Sequence, residues 1–132
     1  MPSLTKVLLK GETGRHLQGI GFRFSNGIVT PFFERQAYGN LIATPFEVEI
    51  KSKIPMSHIH VKVANSGEHS VITGLKIGTN NFMAIDIEWR KHGIWQLPII
   101  LNPYEYIVGL YGYYGLSDSI KAIGFVTSKA DY

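Results

Sequence analysis

Five small groups of side chains in this sequence have the types and spacing for chemistry. His58 and His60 alternate along one stretch and fall on one strand face as two metal ligands, although zinc needs at least a third and no carboxylate neighbours them. Asp86 and Glu88 form a similar i, i+2 carboxylate pair, the raw material of glycoside hydrolysis, yet they alternate with Ile85, Ile87 and Trp89 and read more simply as the wet side of a strand. Tyr113 and Tyr114 precede a Gly/Ser/Asp loop, where an aromatic ring can lie against the apolar face of a sugar. Arg15, His16 and Lys121 stand at loop positions as cations for an anionic ligand, and Arg90, Lys91 and His92 form the only run of three adjacent basic residues. No Ser-His-Asp order, phosphate loop or nucleotide fingerprint occurs, so nothing sets a nucleophile beside a base and no enzyme is expected.

The elements that must position these residues are strands. In YEYIVGLYGYYGLSDSIKAIGFVT, residues 104–127, two alternating apolar runs flank a polar loop: Tyr106, Val108 and Leu110 take one side, Ile107, Gly109 and Tyr111 the other. Ile123, Phe125 and Thr127 share a face, with Gly124 opposite leaving room for close approach. The same phrase occurs twice earlier, in GRHLQGIGFRFSNG and GEHSVITGLKIGTNN. Each copy has a glycine, a polar loop, a small residue (Gly19, Gly74, Ala122), an apolar pair (Ile20 and Phe22, Leu75 and Ile77, Ile123 and Phe125), then Ser or Thr. Leu75 lies 55 residues after Ile20, and Ile123 lies 48 after Leu75, so three units fill the chain.

Between them, residues 5–10 predict a strand ended by Gly11 and Gly14, and Asn26-Gly27 predicts a tight turn into a strand at 28–30 before Pro31. Phe46-Glu47-Val48-Glu49-Ile50 alternates throughout. Ile59, Val61 and Val63 continue it with His58, His60 and Lys62 on the wet side, residues 82–89 follow, and Pro98 makes 96–101 an edge or bulged strand. No window shows helical apolar spacing, so the expectation is about ten or eleven strands and no helix of consequence.

The 132 residues predict one domain, 1–132, with 45% hydrophobic and 17% charged residues, a globular balance. Cysteine is absent, which excludes disulfides and thiolate chemistry. The formal charge of +3 is scattered rather than gathered on one face with aromatics, so no nucleic acid is expected as partner. The apolar group between Lys6 and Lys10 is too short for a signal core or a membrane span, and no glycosylation sequon occurs, which fits a cytoplasmic protein or one secreted without disulfides.

The phrase EYIVGLYGYYG…IKAIGF, with VITGLKIGTNN, resembles the strand pairs of the jacalin-related lectins. The resemblance implies an all-β chain in the β-prism I fold, three Greek-key-like sheets of four strands around a pseudo-threefold axis, with glycans or glycoproteins as partners and no cofactor. In that family a sugar pocket joins a Gly-x-x-x-Asp segment, whose carboxylate accepts from adjacent sugar hydroxyls, to a Gly-rich loop that donates backbone N–H groups. Gly14-Arg15-His16-Leu17-Gln18 matches that segment with Gln18 in the acidic place, and its partner loop would be Tyr38-Gly39-Asn40. Gly67-Glu68-His69-Ser70-Val71 would pair with His92-Gly93-Ile94, but Val71 accepts nothing. In the third copy Lys121 takes the acidic place and Asp118 lies three residues earlier. The reading is therefore a non-enzymatic glycan-binding module. Its alternatives are an assembly module that keeps the fold without sugar recognition, and a binder of sulfated or other polyanions through Arg15, His16 and Lys121; homo-oligomers stay open.

Overall fold

A computed structural model describes residues 4–11, 14–30, 33–34, 46–50, 56–66, 69–79, 81–114 and 120–129. Its elements are β1 (Leu4–Gly11), β2 (Leu17–Phe24), β3 (Phe33–Glu34), β4 (Phe46–Glu49), β5 (His58–Ser66), β6 (His69–Gly78), β7 (Met83–Glu88), β8 (Ile94–Trp95), β9 (Ile99–Ile100), β10 (Glu105–Tyr114) and β11 (Ile120–Lys129). No helix occurs among the described residues, in keeping with the apolar period of two.

Three antiparallel hairpins, β1–β2, β5–β6 and β10–β11, each found a sheet. The first sheet has the order β3-β2-β1-β4 and the second β7-β6-β5-β8, with β9 also on β5. In both, the strand after the hairpin pairs with its second member and a later strand returns to its first, the Greek-key order. The third sheet departs from the expected four strands: among the described residues it is the ribbon β10–β11 alone.

The inner faces meet in one core. Val7, Leu9, Ile20 and Phe22 come from the first sheet, Ile59, Leu75, Ile77 and Ile85 from the second, and Ile107 and Ile120 from the third. Phe22 stacks on Phe125 with ring centroids 5.9 Å apart and meets Phe24 edge-on at 6.3 Å, which ties the first and third sheets by aromatic contact. At about 25 cal/mol per Å² of apolar surface removed from water, this shared core is the main favourable contribution to folding.

Four expectations need correction. The return strand at 28–30 is a single bridge, Arg23 to Val29: Gly27 at φ +85° makes the turn with the Asn26 carboxamide accepting from Ile28 N, but Ile28 and Val29 stay exposed. In place of the strand at 96–101 stand two short ones on either side of Pro98, β8 before residue 96 and β9 within the expected range. In β10 the two faces are rephased, because Ile107 opposes Thr127 and Gly109 opposes Val126, leaving Val108 as a bulge. Ile107 and Leu110 therefore both turn to the core, and Tyr111 and Tyr113 turn to solvent. Finally, Lys62 is buried, at 4% exposure, rather than on a wet face.

Candidate functional site

The three hairpins share an irregularity that places the candidate residues. Lys10 opposes Gly19 and Gly11 opposes Leu17, so Gln18 is an extra residue in β2. Lys62 opposes Gly74 and Val63 opposes Ile72, which makes Thr73 the extra residue in β6. Tyr113 opposes Ala122 and Tyr114 opposes Ile120, which does the same for Lys121 in β11. Each bulge lies two residues before the apolar pair of its repeat, in the part of the second strand next to the hairpin loop. A bulged residue leaves the ladder and its side chain is re-aimed, which is why such positions gather at sites. The counterpart of Gln18 and Lys121 in the second repeat is thus Thr73, not Val71, which packs inward.

The three bulges have different surroundings. Thr73 is fully buried; its hydroxyl donates to His92 O at 3.0 Å, and its carbonyl accepts from Trp89 N at 2.8 Å and from Arg90 N at 3.4 Å. Gln18 is also buried, at 2% exposure, and Lys121 is exposed. No carboxylate occupies any of the three places.

The segment after β7 is fixed from below. Lys62 Nζ, beneath it, donates to Glu88 Oε2 at 2.8 Å, to Arg90 O at 3.2 Å and to Lys91 O at 2.6 Å. Gly93, at φ +130°, seats the loop so closely that a Cβ there would stand 2.8 Å from Thr73 Oγ1 and 3.0 Å from Val63 O. Trp95 lies over Gly74, whose added Cβ would be 2.7 Å from the ring, and the Lys76 ammonium sits 4.4 Å from the ring centroid. The hydrogen bond from Lys62 and the charges of Lys62, Lys76 and Lys91 hold the Glu88 carboxyl below the ordinary carboxylate range.

Because the carbonyls of Arg90, Lys91 and His92 are taken from within, the side chains of Lys91 and His92 stand in solvent. The Gly14 segment meets this same loop: Gly14, at φ +84°, donates its N–H to Trp89 O, and the Trp89 indole lies on Gly11, where a Cβ would come within 2.5 Å of Nε1. Exposed Arg15 and half-buried His16 follow directly. The corner is therefore built from residues 14–18 and 89–93 and carries an excess of cationic side chains.

Tyr38 and Gly39, the partner loop expected for Gly14, lie outside the described residues, as do Gly67, Glu68 and Asp118. His69 opens β6 and Tyr114 closes β10. Tyr113 is 69% exposed on the outer face of the third sheet. His58 and His60 stack at 6.4 Å with Ser57 Oγ 2.8 Å from His58 Nδ1, and no group of three metal-ligating side chains occurs among the described residues. Glu88 is committed to Lys62 rather than poised opposite Asp86. Thr73 and Lys62 shape the site without belonging to the glycine-led motif; for Thr73 the spacing carries a signal, two residues ahead of Leu75 as Gln18 is ahead of Ile20.

No family model matches the chain, and no curated protein matches it. Solved structures do. The lectin MPA in complex with T-antigen disaccharide matches with a TM-score of 0.68 at 12% identity, over 96% of this chain and 92% of that one. Jacalin in complex with melibiose matches at 0.67 and 11%, and a galactose-specific lectin from Artocarpus hirsuta with methyl-α-D-galactose at 0.65 and 13%, each with the same coverage. The chain has the β-prism fold of the jacalin-type lectins.

Proposed function

We propose that this chain is a non-enzymatic glycan-binding module whose site is the corner between residues 14–18 and 89–93. The observation that carries this reading is the bond from Gly14 N to Trp89 O, which brings a glycine-led hairpin loop onto a second loop held from beneath by Lys62 and Thr73. Two loops fixed at their backbones suit recognition of sugar hydroxyls at set geometry, and the similarity to lectins solved with galactosides supports the class of ligand. The test is a glycan array followed by titration of the labelled protein with the best hits. Saturable amide shifts at Gly14, Arg15 and residues 90–93 are expected; silence of these loops at millimolar sugar refutes the reading.

The corner's charge favours anionic glycans over neutral ones. Lys91, His92 and Arg15 are all exposed on the two loops joined at Gly14 and Trp89, and Gln18, buried as it is, supplies no carboxylate to a neutral hexose. A sulfated oligosaccharide is then bound more tightly than its desulfated form, with affinity falling steeply between low and high salt. Arg15→Glu together with Lys91→Glu should weaken the sulfated ligand at least tenfold. A partner captured equally well with and without free sugar would instead support the assembly-module alternative.

A further inference from the structure

A cleft of about 190 Å³ lies between the second and third sheets. Its walls include Ile59, Val61 and Ile72 of the second sheet and Ile123 of β11, with Leu97 over the mouth. Ile59 and Ile72 belong to the core, whereas Leu97 is 90% exposed, so the cleft runs from solvent to the edge of the interior. Leu97 stands there because Pro98 breaks the strand between β8 and β9: Gln96 N still bonds to Val61 O, but Leu97 and Pro98 lie in neither strand. An apolar cavity of roughly 150 Å³ stays dry and admits a six-carbon ring, so this one has room by proportion for about eight carbons, well short of a drug-sized pocket.

One charge belongs to it. Lys121 lines the cleft, is exposed, and is the only charged residue among its described lining, which includes no carboxylate. The bulge in β11 aims it: with Lys121 left out of the ladder, Lys121, Ala122 and Ile123 all border the same space. We propose that the cleft binds the acyl chain of a medium-length fatty carboxylate, with the chain against Val61, Leu97 and Ile123 above the buried Ile59 and Ile72, and the carboxylate at the Lys121 ammonium. An anionic head is selected by charge complementarity, and the apolar depth selects an unbranched tail. This site is separate from the corner at residues 14–18 and 89–93 and does not rest on glycan binding there.

The experiment titrates methyl-labelled full-length protein with sodium octanoate below its micellar range, and with butanoate, hexanoate, 1-octanol and octylammonium. Shifts at the methyl groups of Val61, Leu97 and Ile123 are expected, with affinity rising by up to about fourfold per added methylene. Octanoate should bind more tightly than octanol, and octanol more tightly than octylammonium. Lys121→Gln should weaken octanoate about two- to fivefold and leave octanol unchanged, while Ala122→Phe, at an exposed position on the rim, should abolish binding of all of them. The proposal is overturned if shifts miss the cleft methyls, if octylammonium binds as tightly as octanoate, or if Ala122→Phe binds as the wild type does. Octanoate binding that persists where every glycan fails would remove the glycan reading alone.

Discussion

Replacing Lys62 by Met tests how the loop at 89–93 is held. The ammonium makes three bonds, to the carbonyls of Arg90 and Lys91 and to Glu88, from a side chain with little contact with water. Hydrogen bonds to a charged group contribute about 1.5–3 kcal/mol each, but they do not add, the loop carbonyls can recruit water once freed, and Met restores part of the apolar contact. The expected net loss is therefore about 2–4 kcal/mol, near the lower end of what breaking a buried ion pair costs. For a chain of this length that is roughly 8–15 °C in Tm. Urea denaturation gives the free energy. Hydrogen exchange gives the location: the amides of Trp89 and Arg90, which bond to Thr73 O, should lose protection, while Ile107 in the third sheet keeps it. A variant within about 0.5 kcal/mol of wild type, with unchanged exchange at Trp89, would show that Lys62 does not hold this loop.

Other outcomes follow from the same geometry. Gly93→Ala should cost about 1–3 kcal/mol, since the residue sits at φ +130° with Thr73 Oγ1 in the way of a Cβ; thermal denaturation reads it, and an unchanged Tm would refute the close seating. Gly124→Val should displace Tyr111, whose exposed ring lies across Gly124 and can swing into solvent, at a cost under about 1 kcal/mol, with a changed tyrosine environment in near-ultraviolet circular dichroism. Glu88 and Glu105 both titrate below the ordinary carboxylate range, Glu105 because Asn102 N–H and the Thr127 hydroxyl donate to it. A carboxyl depressed in the folded state stabilises above its unfolded pKa and loses that contribution as pH falls through the folded one. Stability should thus fall on acidification below the ordinary carboxylate range, and Glu88→Gln with Glu105→Gln should flatten that fall in denaturation curves taken across pH.

What could be read from the chain was whatever repeats. The glycine, the small residue and the apolar pair recur because each hairpin needs a loop, a close approach and an inward face, and those three needs fixed the strand count and the threefold plan. Bulges were not legible in the same way. One inserted residue reverses the side of everything beyond it, so Val108 sends Tyr111 and Tyr113 outward in a stretch whose alternation looks unbroken. Thr73 shows the converse: spacing counted forward from Gly67 arrives at Val71, while spacing counted back from Leu75 arrives at the residue that is displaced from the ladder. Lys62 escaped for a third reason. A lysine alternating with Val61 and Val63 reads as solvated, and only a distant loop, 28 residues on, supplies the carbonyls that make its burial tolerable.

That the same offset recurs near three hairpin loops has an evolutionary corollary. A residue excused from strand pairing can change identity without disturbing the ladder bonds on either side, so each copy answers only to what its own side chain meets: Thr73 to the carbonyl of His92, Gln18 to its buried setting, Lys121 to solvent. Amide, hydroxyl and ammonium now stand at the three places. A single codon change at Lys121, the copy still open to solvent, would alter what one edge of the prism offers to its surroundings while the rest of the architecture carried on unchanged.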